Sequence, residues 1–298
     1  MTKNIKNSYW NLSDDDGYRA WRQHKLQQTE KLQNAGFIRI KDLSNPSASE
    51  KSELFSRCKK TNMALYQIDE FDDPEKTKIA LREFAKNLGL VIAEKHRSAG
   101  KEGIVAITIS NAPTQRAYIP YSNRALNWHS DGYYNAENEQ IRSMVLHCFK
   151  PAQRGGESQF FDPEIAYIRL RDENPNYIKA LMHKEAMIIP QNLDEKGGVR
   201  PISVGPVFSF DKDNNLIMRY TARTRSIEWR KDKDTQEAVR FLQDLLINGD
   251  EFIQRLTLKA GQGILCNNSL HNRSAFEKQE NNERLLFRVR FHNRIKDY

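Results

Sequence analysis

Two histidines and one aspartate have the types and the spacing of metal ligands. His129 and Asp131 lie two positions apart in the stretch NWHSDGYYN, residues 127–135. His271 comes much later, in the stretch CNNSLHNR. Two imidazoles and one carboxylate can occupy one face of an Fe(II) ion and leave three positions open for a bidentate cosubstrate and dioxygen. The sequence predicts a metal centre if the fold brings His271 to a short His-x-Asp turn at a strand end.

Each part of this pattern has an ordinary structural explanation when it occurs alone. A histidine beside a loop aspartate is usually a surface hydrogen-bonded pair, and a single histidine after a strand is more often structural than a ligand. Only the joint occurrence favours a metal site. The remaining histidines have no His-x-Asp partner, and the one inside the apolar run MVLHCF is expected in the core; they are His24, His96, His147, His183 and His292.

A cosubstrate with a carboxylate needs a cationic partner. The stretch RLLFRVRFH, residues 284–292, offers Arg284, Arg288 and Arg290. If it forms one strand, Arg288 and Arg290 share a face with Leu286. A buried guanidinium requires an anion and can bind a carboxylate with two hydrogen bonds, which favours Arg288 as a cavity residue. The alternative is a surface strand with solvated arginines.

The first third of the chain is rich in helix signals. Residues 17–36 are good helix formers closed by Gly36, and the following FIRIKDL alternates as a strand does. Residues 45–68 open with turn and capping residues and continue with helical spacing. Residues 72–90 have a proline near their start and apolar residues at helical spacing, namely Ile79, Leu81, Phe84, Leu88 and Leu90. A helix feeding a sheet and two further helices are expected.

After Gly103 the pattern changes to short β-rich runs between proline, glycine and asparagine turns, which indicates a barrel or sandwich. The runs are IVAITIS, RSMVLHCF, SVGPVFSF, LIMRYT, GILCNN and RLLFRVRFH. Two helical interludes, residues 162–182 and 233–249, interrupt them. The second has an apolar face of Val239, Leu242, Leu245 and Leu246. No repeat or low-complexity linker divides the chain, so one domain over residues 1–298 is expected.

Composition excludes several classes of protein. No apolar run approaches the roughly 20 residues of a membrane helix, and the amino terminus shows no secretory leader, so the cytoplasm is expected. Cys58, Cys148 and Cys266 are odd in number and widely spaced, which predicts reduced, buried thiols. The net charge of +8 is dispersed, which disfavours nucleic acid as a partner.

Four stretches together resemble the taurine dioxygenase and 2,4-dichlorophenoxyacetate dioxygenase (TauD/TfdA) family of Fe(II)- and 2-oxoglutarate-dependent oxygenases. They are NWHSDGYYN, LHCFKPAQRGGES, NNSLHNRSAF and RLLFRVRF, and they occur in this order over residues 100–295. The resemblance implies a mixed α+β protein with a double-stranded β-helix, or jelly roll, flanked by helices. The helix-rich residues 1–100 are expected to pack on that core.

The resemblance also implies roles for individual residues. It places iron on His129, Asp131 and His271. Arg288 matches the arginine that grips the distal carboxylate of 2-oxoglutarate, and Ser158 matches a hydroxyl residue, often threonine, that supports the same carboxylate. Such enzymes use dioxygen to oxidise an unactivated C–H bond, usually by hydroxylation, and release succinate and carbon dioxide.

Two positions narrow this chemistry. Halogenating relatives lack the carboxylate ligand, so Asp131 disfavours halogenation. Ala125 stands where the taurine enzymes carry a substrate-binding asparagine, which disfavours taurine itself. The expected substrate is another small metabolite, with an anionic one favoured by the basic cluster described next. A homo-oligomer is left open.

The densest basic cluster, RYTARTRSIEWRKDK at residues 219–233, contains Arg219, Arg223 and Arg225. A solvated loop and a substrate-binding segment over the barrel mouth are equally good interpretations. In the second, at least one of the three arginines meets an anionic group of the substrate, and Tyr133 belongs to the pocket wall.

Three other functions use the same residues. A zinc hydrolase could employ the same His/Asp/His site with an activated water. It would need no cation to bind a dicarboxylate, so Arg288 and Ser158 disfavour it. A nucleic-acid demethylase would require a basic groove with stacking aromatics. A non-catalytic jelly-roll module would have no use for three metal ligands.

Overall fold

The computed structural model describes residues 8–69, 72–92, 103–110, 112, 118–193, 199–278 and 283–296. The ends of the predicted single domain, and residues 93–102 of its helix-rich part, lie outside these ranges. The helices are α1 Asp15–Gln33, α2 Ala48–Thr61, α3 Pro74–Asn87, α4 Pro163–Glu173, α5 Pro175–Leu181 and α6 Lys233–Asn248.

The described strands are short and antiparallel in all but one pairing. They are β1 Ile38–Arg39, β2 Met63–Gln67, β3 Ile104–Ile107, β4 Leu126–His129, β5 Ser143–Lys150, β6 Ser158–Phe161, β7 Met187–Ile189, β8 Asn192–Leu193, β9 Val199–Arg200, β10 Ser203–Gly205, β11 Phe208–Phe210, β12 Leu216–Met218, β13 Glu228–Trp229, β14 Gln254–Leu256, β15 Gln262–Cys266, β16 Leu270–Arg273 and β17 Leu285–Phe291. The exception is the parallel pair of β1 and β2.

Two sheets form the core. A six-stranded sheet has the order β1-β2-β15-β5-β17-β3, and a four-stranded sheet has the order β14-β6-β16-β4. Apolar side chains from both sheets, such as Met144 and Leu286 from one and Phe160 from the other, form one buried cluster. The predicted mixed α+β class and jelly-roll core are therefore confirmed.

Helices cover the outer faces of both sheets. Leu54 of α2 and Phe84 of α3 pack with Phe287 of β17 on the outside of the six-stranded sheet. Helices α1, α4, α5 and α6 gather with the small strands on the other side, where Trp128 and Leu270 of the four-stranded sheet join their cluster. Among the described helices, none is both long and apolar enough to cross a membrane.

Local capping explains where the first helices begin and end. The Ser47 side chain and Glu50 form a capping box at the start of α2. Asn62 adopts a left-handed conformation with φ 56° at its end, so β2 follows at once. The predicted helix over residues 45–68 is therefore a helix and a strand. Ile79 of α3, one of the apolar residues at helical spacing, is 52% exposed.

The other predicted features are largely as expected. Cys58, Cys148 and Cys266 are buried, and none of them forms a disulfide within the described part of the chain. His147 is a core residue whose Nδ1 lies 3.1 Å from the hydroxyl of Tyr66. The first helical interlude is two helices, because a proline opens α5 directly after α4.

A two-glycine turn precedes β6 and fixes its start. Gly155 and Gly156 have φ of 75° and 73°. The N–H of Gly156 donates to the carbonyl of Ala275 at 3.0 Å. A Cβ on Gly155 would lie 2.3 Å from that same carbonyl oxygen. The turn therefore requires glycine for two reasons, backbone conformation and close approach.

We predict that Gly155→Ala destabilises the protein much more than Gly36→Ala does. Gly36 has φ 66°, and no atom lies within 4 Å of the place that a Cβ would take there, so its substitution reports backbone strain alone, about 1–2 kcal/mol. Gly155→Ala adds a steric clash worth about 1–3 kcal/mol more. Urea unfolding of both variants measures the difference in free energy of unfolding. Equal losses would contradict the proposed steric role of Ala275.

Candidate metal centre

The two predicted histidine ligands face each other across adjacent strands. His129 closes β4 and lies directly opposite His271 of β16. Their ring centroids are 4.2 Å apart. His271 was expected just after a strand, and it lies in the strand that follows, β16. The two residues, far apart in sequence, are therefore cross-strand neighbours.

Asp131 lies just beyond the end of β4 and completes the cluster. The potential ligand atoms of His129, Asp131 and His271 all lie within 4.8 Å of one another. All three residues are buried, with exposed fractions of 5–7%. The structure thus brings together the three residues that sequence spacing singled out.

Backbone carbonyls fix the orientation of both imidazoles. The Nδ1 atom of His129 lies 2.9 Å from the carbonyl of Asn127, and Nδ1 of His271 lies 3.0 Å from the carbonyl of Ser269. A carbonyl can only accept, so each Nδ1 carries the hydrogen. Each Nε2 then keeps its lone pair for a metal.

The charge state of the cluster suits a divalent cation. Burial, and then the neighbouring His271, lowers the pKa of His129 to about 3. Burial also lowers the pKa of His271. Burial alone would raise the pKa of Asp131, but Arg288 and Arg290 outweigh it and hold that pKa well below its usual range. Two neutral imidazoles and one carboxylate result.

One oxygen of Asp131 is available for coordination. Its Oδ2 is buried and has no hydrogen-bond partner among the described residues. Leaving such an atom without a partner is costly, unless a cation occupies the space beside it. The residues present therefore fit an iron ion.

Arg288 contacts Asp131, one of the three residues of the candidate metal site. Its Nη1 lies 3.1 Å from Oδ1 of Asp131, and both side chains are buried. Arg288 does not line the pocket that contains Ser158. The geometry therefore pairs Arg288 with the iron-site carboxylate and not with Ser158.

A second arginine of the same stretch, Arg284, lies with Ser158. Both line one pocket, together with Cys148, Pro151, Ala152, Gly155, Gly156, Thr257, Leu258 and Leu286. Arg284 is 7% exposed, and burial lowers its pKa to about 10. It lies over the Phe276 ring, 5.1 Å from the centroid.

No hydrogen bond or ion pair joins Arg284 to another residue in the described ranges. A buried guanidinium without an anion is costly, so this pocket has the chemistry of an anion site. The family resemblance favoured Arg288 over Arg284 for this role. Strand alternation could not separate the two, because it puts both on one face and does not say how far along the strand each partner lies.

The segment after β12 borders the metal cluster. Thr221 forms a β-bridge with His129. The exposed Arg223 follows, and its Nη1 donates to the Tyr133 hydroxyl at 3.0 Å. The Tyr133 ring stands edge-on to His129 at 6.4 Å between centroids. Arg225 is also exposed. Arg223 thus contacts Tyr133, which lies beside His129, and substrate binding by this segment stays a prediction.

Arg219 is different from the other two arginines of the cluster. It donates from Nε to the carbonyl of Tyr133 at 2.7 Å, and from Nη1 to the carbonyls of Met187 and Gly205. Its Nη2 donates to the carbonyl and the hydroxyl of Ser203. All five N–H groups are used, so the expectation that Arg219 binds substrate is corrected to a structural role.

One residue beside the site, Asn268, was not predicted from the sequence. Its side-chain amide hydrogen-bonds both backbone groups of Asp131. The available signal was an Asn-Asn pair directly after a buried strand, because asparagine tolerates left-handed backbone and bonds neighbouring main chain.

Comparison with known proteins places this site in a family. The taurine catabolism dioxygenase TauD, TfdA family matches residues 18–290. A uridine-5'-phosphate dioxygenase of Amycolatopsis sp. is 28% identical over 170 residues, which are 54% of this chain and 59% of that protein's length. A uridine-5'-phosphate dioxygenase of Streptomyces sp. is 25% identical over 199 residues, 65% of this chain and 70% of that protein.

A solved structure shares the fold. The non-heme iron oxygenase OrfP, in complex with Fe, succinate and (3S)-hydroxy-L-Arg, aligns with a TM-score of 0.65 at 14% identity. The alignment covers 91% of this chain and 92% of that one. With the family match over most of its length and the buried His-Asp-His cluster, the chain belongs to the TauD/TfdA family of Fe(II)- and 2-oxoglutarate-dependent dioxygenases.

Proposed function

We propose that this dioxygenase hydroxylates a C–H bond of a small anionic metabolite of the nucleoside phosphate class. The observation that carries the proposal is the arrangement of three features. The buried cluster of His129, Asp131 and His271 has the anion pocket of Arg284 in the same core and the exposed Arg223 at its edge.

His129, Asp131 and His271 are the proposed iron ligands. Both imidazoles are neutral and present Nε2, and the carboxylate is ionised. Iron held there supplies the redox chemistry by which dioxygen and 2-oxoglutarate give succinate, carbon dioxide and an oxidised substrate. The surrounding residues fix their orientation, because the carbonyls of Asn127 and Ser269 bond to the two imidazoles and Arg288 contacts the carboxylate.

Arg284 and Ser158 are proposed to hold the distal carboxylate of 2-oxoglutarate, in place of the pairing of Arg288 with Ser158 that the sequence suggested. Arg284 lies four residues before Arg288, at most about 13 Å along a strand, and the pairing register shifts between Leu285 and Leu286. In the proposal, one end of the five-carbon dicarboxylate lies at the candidate metal site beside Asp131 and the other end lies at Arg284. Arg288 then serves as the charge partner of Asp131, as its contact of 3.1 Å supports.

The substrate class is proposed from the chemistry of the mouth. The names of two relatives state activity on uridine 5'-phosphate. Arg223 and Arg225 are exposed cations next to the segment that bridges to His129. A phosphate bound by them would direct the organic part of the substrate past Tyr133 toward the metal cluster, as positioning for reaction requires.

The runner-up functions lack such support. A zinc hydrolase would not need a buried arginine with no anion in the described protein, which is the state of Arg284. A nucleic-acid enzyme would need a continuous basic groove, whereas the described part of the mouth offers two exposed arginines close together. A mononucleotide needs no more than that.

We predict that His129→Ala, Asp131→Ala and His271→Ala each lose turnover and weaken iron binding at least about 100-fold. Each removes a ligand atom while the surrounding strands remain paired. His24→Ala, an exposed histidine of α1 outside the cluster, is the control. Iron binding is measured by equilibrium dialysis against Fe(II) without oxygen. Turnover is measured as succinate formation in the presence of oxygen. Full activity in any of the three would refute the ligand assignment.

We predict that Arg284→Gln raises the dissociation constant for 2-oxoglutarate much more than Arg288→Gln does. Losing a charge-assisted carboxylate pair costs about 2–5 kcal/mol, or about 30-fold to several thousand-fold. Binding is measured by calorimetry on the protein loaded with a redox-inert metal, with the exposed Arg255→Gln as control. A larger increase of the dissociation constant in Arg288→Gln would assign the carboxylate-binding role to Arg288.

We predict that uridine 5'-phosphate stimulates succinate formation strongly and that uridine does so weakly. Arg223→Gln and Arg225→Gln should raise the KM for the phosphorylated compound about tenfold each, the cost of one exposed charge-assisted contact. The KM for 2-oxoglutarate and the response to uridine should not change. Arg240→Gln, on the exposed face of α6, is the control.

The assay uses a panel of nucleosides and their 5'-phosphates. Equal stimulation by each nucleoside and its phosphate would contradict the proposed class. Unchanged KM in both variants, with phosphate still required, would leave the class standing and remove the two arginines from the binding site.

A further inference from the structure

A three-residue connection links the two sheets at the metal cluster. Asn267–Ser269 lead from β15 of the six-stranded sheet to β16 of the four-stranded sheet. At its centre Asn268 has a left-handed backbone, with φ 52°, and a buried side chain. Non-glycine residues rarely adopt this conformation, although asparagine tolerates it better than most.

The Asn268 side chain is bonded to the backbone of Asp131. Its Oδ1 accepts from the N–H of Asp131 at 2.8 Å, and its Nδ2 donates to the carbonyl of Asp131 at 3.0 Å. The same Nδ2 donates to the carbonyl of Ile141 at 2.9 Å. One amide therefore satisfies both main-chain groups of the iron-site aspartate.

This contact replaces strand pairing at the point where strand pairing ends. Ser130 still bonds across to the next segment, its N–H donating to the carbonyl of Tyr220 at 3.0 Å. Asp131 lies beyond β4, and both its backbone N–H and its carbonyl bond to Asn268. The Asn268 side chain thus satisfies the backbone hydrogen bonds of Asp131, as the neighbouring strand β16 pairs with the backbone at His129.

The same connection also orients the third ligand. The carbonyl of Ser269 accepts from Nδ1 of His271 at 3.0 Å. On its other side the connection is anchored by Asn267, whose N–H donates to the carbonyl of Asn62 at 2.8 Å. Two of the three ligands are therefore set by consecutive residues of one anchored segment.

We propose that Asn268 is a positioning residue for metal binding, which holds Asp131 in register with His271. The inference rests on the proposed iron site. The requirement is specific to a neutral amide, because the site needs one acceptor and two donors in the same plane. A carboxylate in its place would set oxygen against the carbonyls of Asp131 and Ile141.

The test is a titration of the full-length metal-free protein with Co(II) in the presence of 2-oxoglutarate, followed by visible d–d absorption. Asn268→Gly keeps the left-handed backbone and removes the amide. We expect its dissociation constant for Co(II) to rise about 10- to 100-fold, the usual effect of losing a contact that orients a ligand. The shape of the d–d bands should change as well, because the carboxylate is no longer fixed.

The matched control is Asn214→Gly. Asn214 has φ 62° in the turn between β11 and β12, and its backbone carbonyl, which accepts from Trp10, is kept in the variant. Its Co(II) affinity and band shape should equal those of the unaltered protein. Far-UV circular dichroism and the melting temperature of each metal-free variant separate loss of fold from loss of metal binding.

The isosteric Asn268→Asp is the second variant, and it decides the question if Asn268→Gly does not fold. A Co(II) dissociation constant within twofold of the unaltered protein in a folded variant overturns the proposal. So does failure of both variants to fold, because the contact would then serve folding. His271→Ala is titrated alongside: if it binds Co(II) normally, the proposed iron site itself is wrong.

Discussion

The register between β4 and β16 is the constraint on which the rest of the site depends. It sets His129 directly opposite His271. Side chains alternate between the faces of a strand, so a slip of one residue would turn one imidazole away from the other. The flanking strand β6 pairs with β16 in the same sheet and brings Phe160 beside His271, where the two rings stack 5.6 Å apart. A metal ligand set therefore follows from ordinary sheet pairing.

The second organising feature is the sign of the charge in the core. One strand, β17, with the residue before it, brings Arg284 and Arg288 into the interior, while Asp131 is the carboxylate that pairs with Arg288. A divalent cation would add to this positive charge. The interior thus favours a dianionic cosubstrate strongly, and burial makes each of these interactions larger than it would be in water.

Spacing and periodicity predicted much of this. His129, Asp131 and His271 met as expected, and helices α1, α3 and α6 formed where caps and apolar spacing indicated. The wrong predictions all depend on three-dimensional features that residue spacing does not record. Asn62 ends α2 with one left-handed residue, which propensity does not reveal, and period-two alternation gives a side chain's face without its distance along the strand. The sequence suggested that Arg219 binds an anion. Its guanidinium instead donates to backbone carbonyls, and such partners cannot be predicted from a pattern of residue types.

The Asn267–Ser269 connection is anchored on Asn62, so it links the end of α2 to the proposed metal site. Ser269 adds a contact of 3.4 Å from its hydroxyl to the Asn62 carbonyl, and Arg294 reaches the Asn62 side chain from the far end of the chain. A shortened chain that keeps only the jelly roll would lose Asn62, and with it the hydrogen bonds that anchor the connection beside the proposed metal site. In protein engineering, a fragment meant to keep the proposed iron site intact must therefore include Asn62, far upstream of His129.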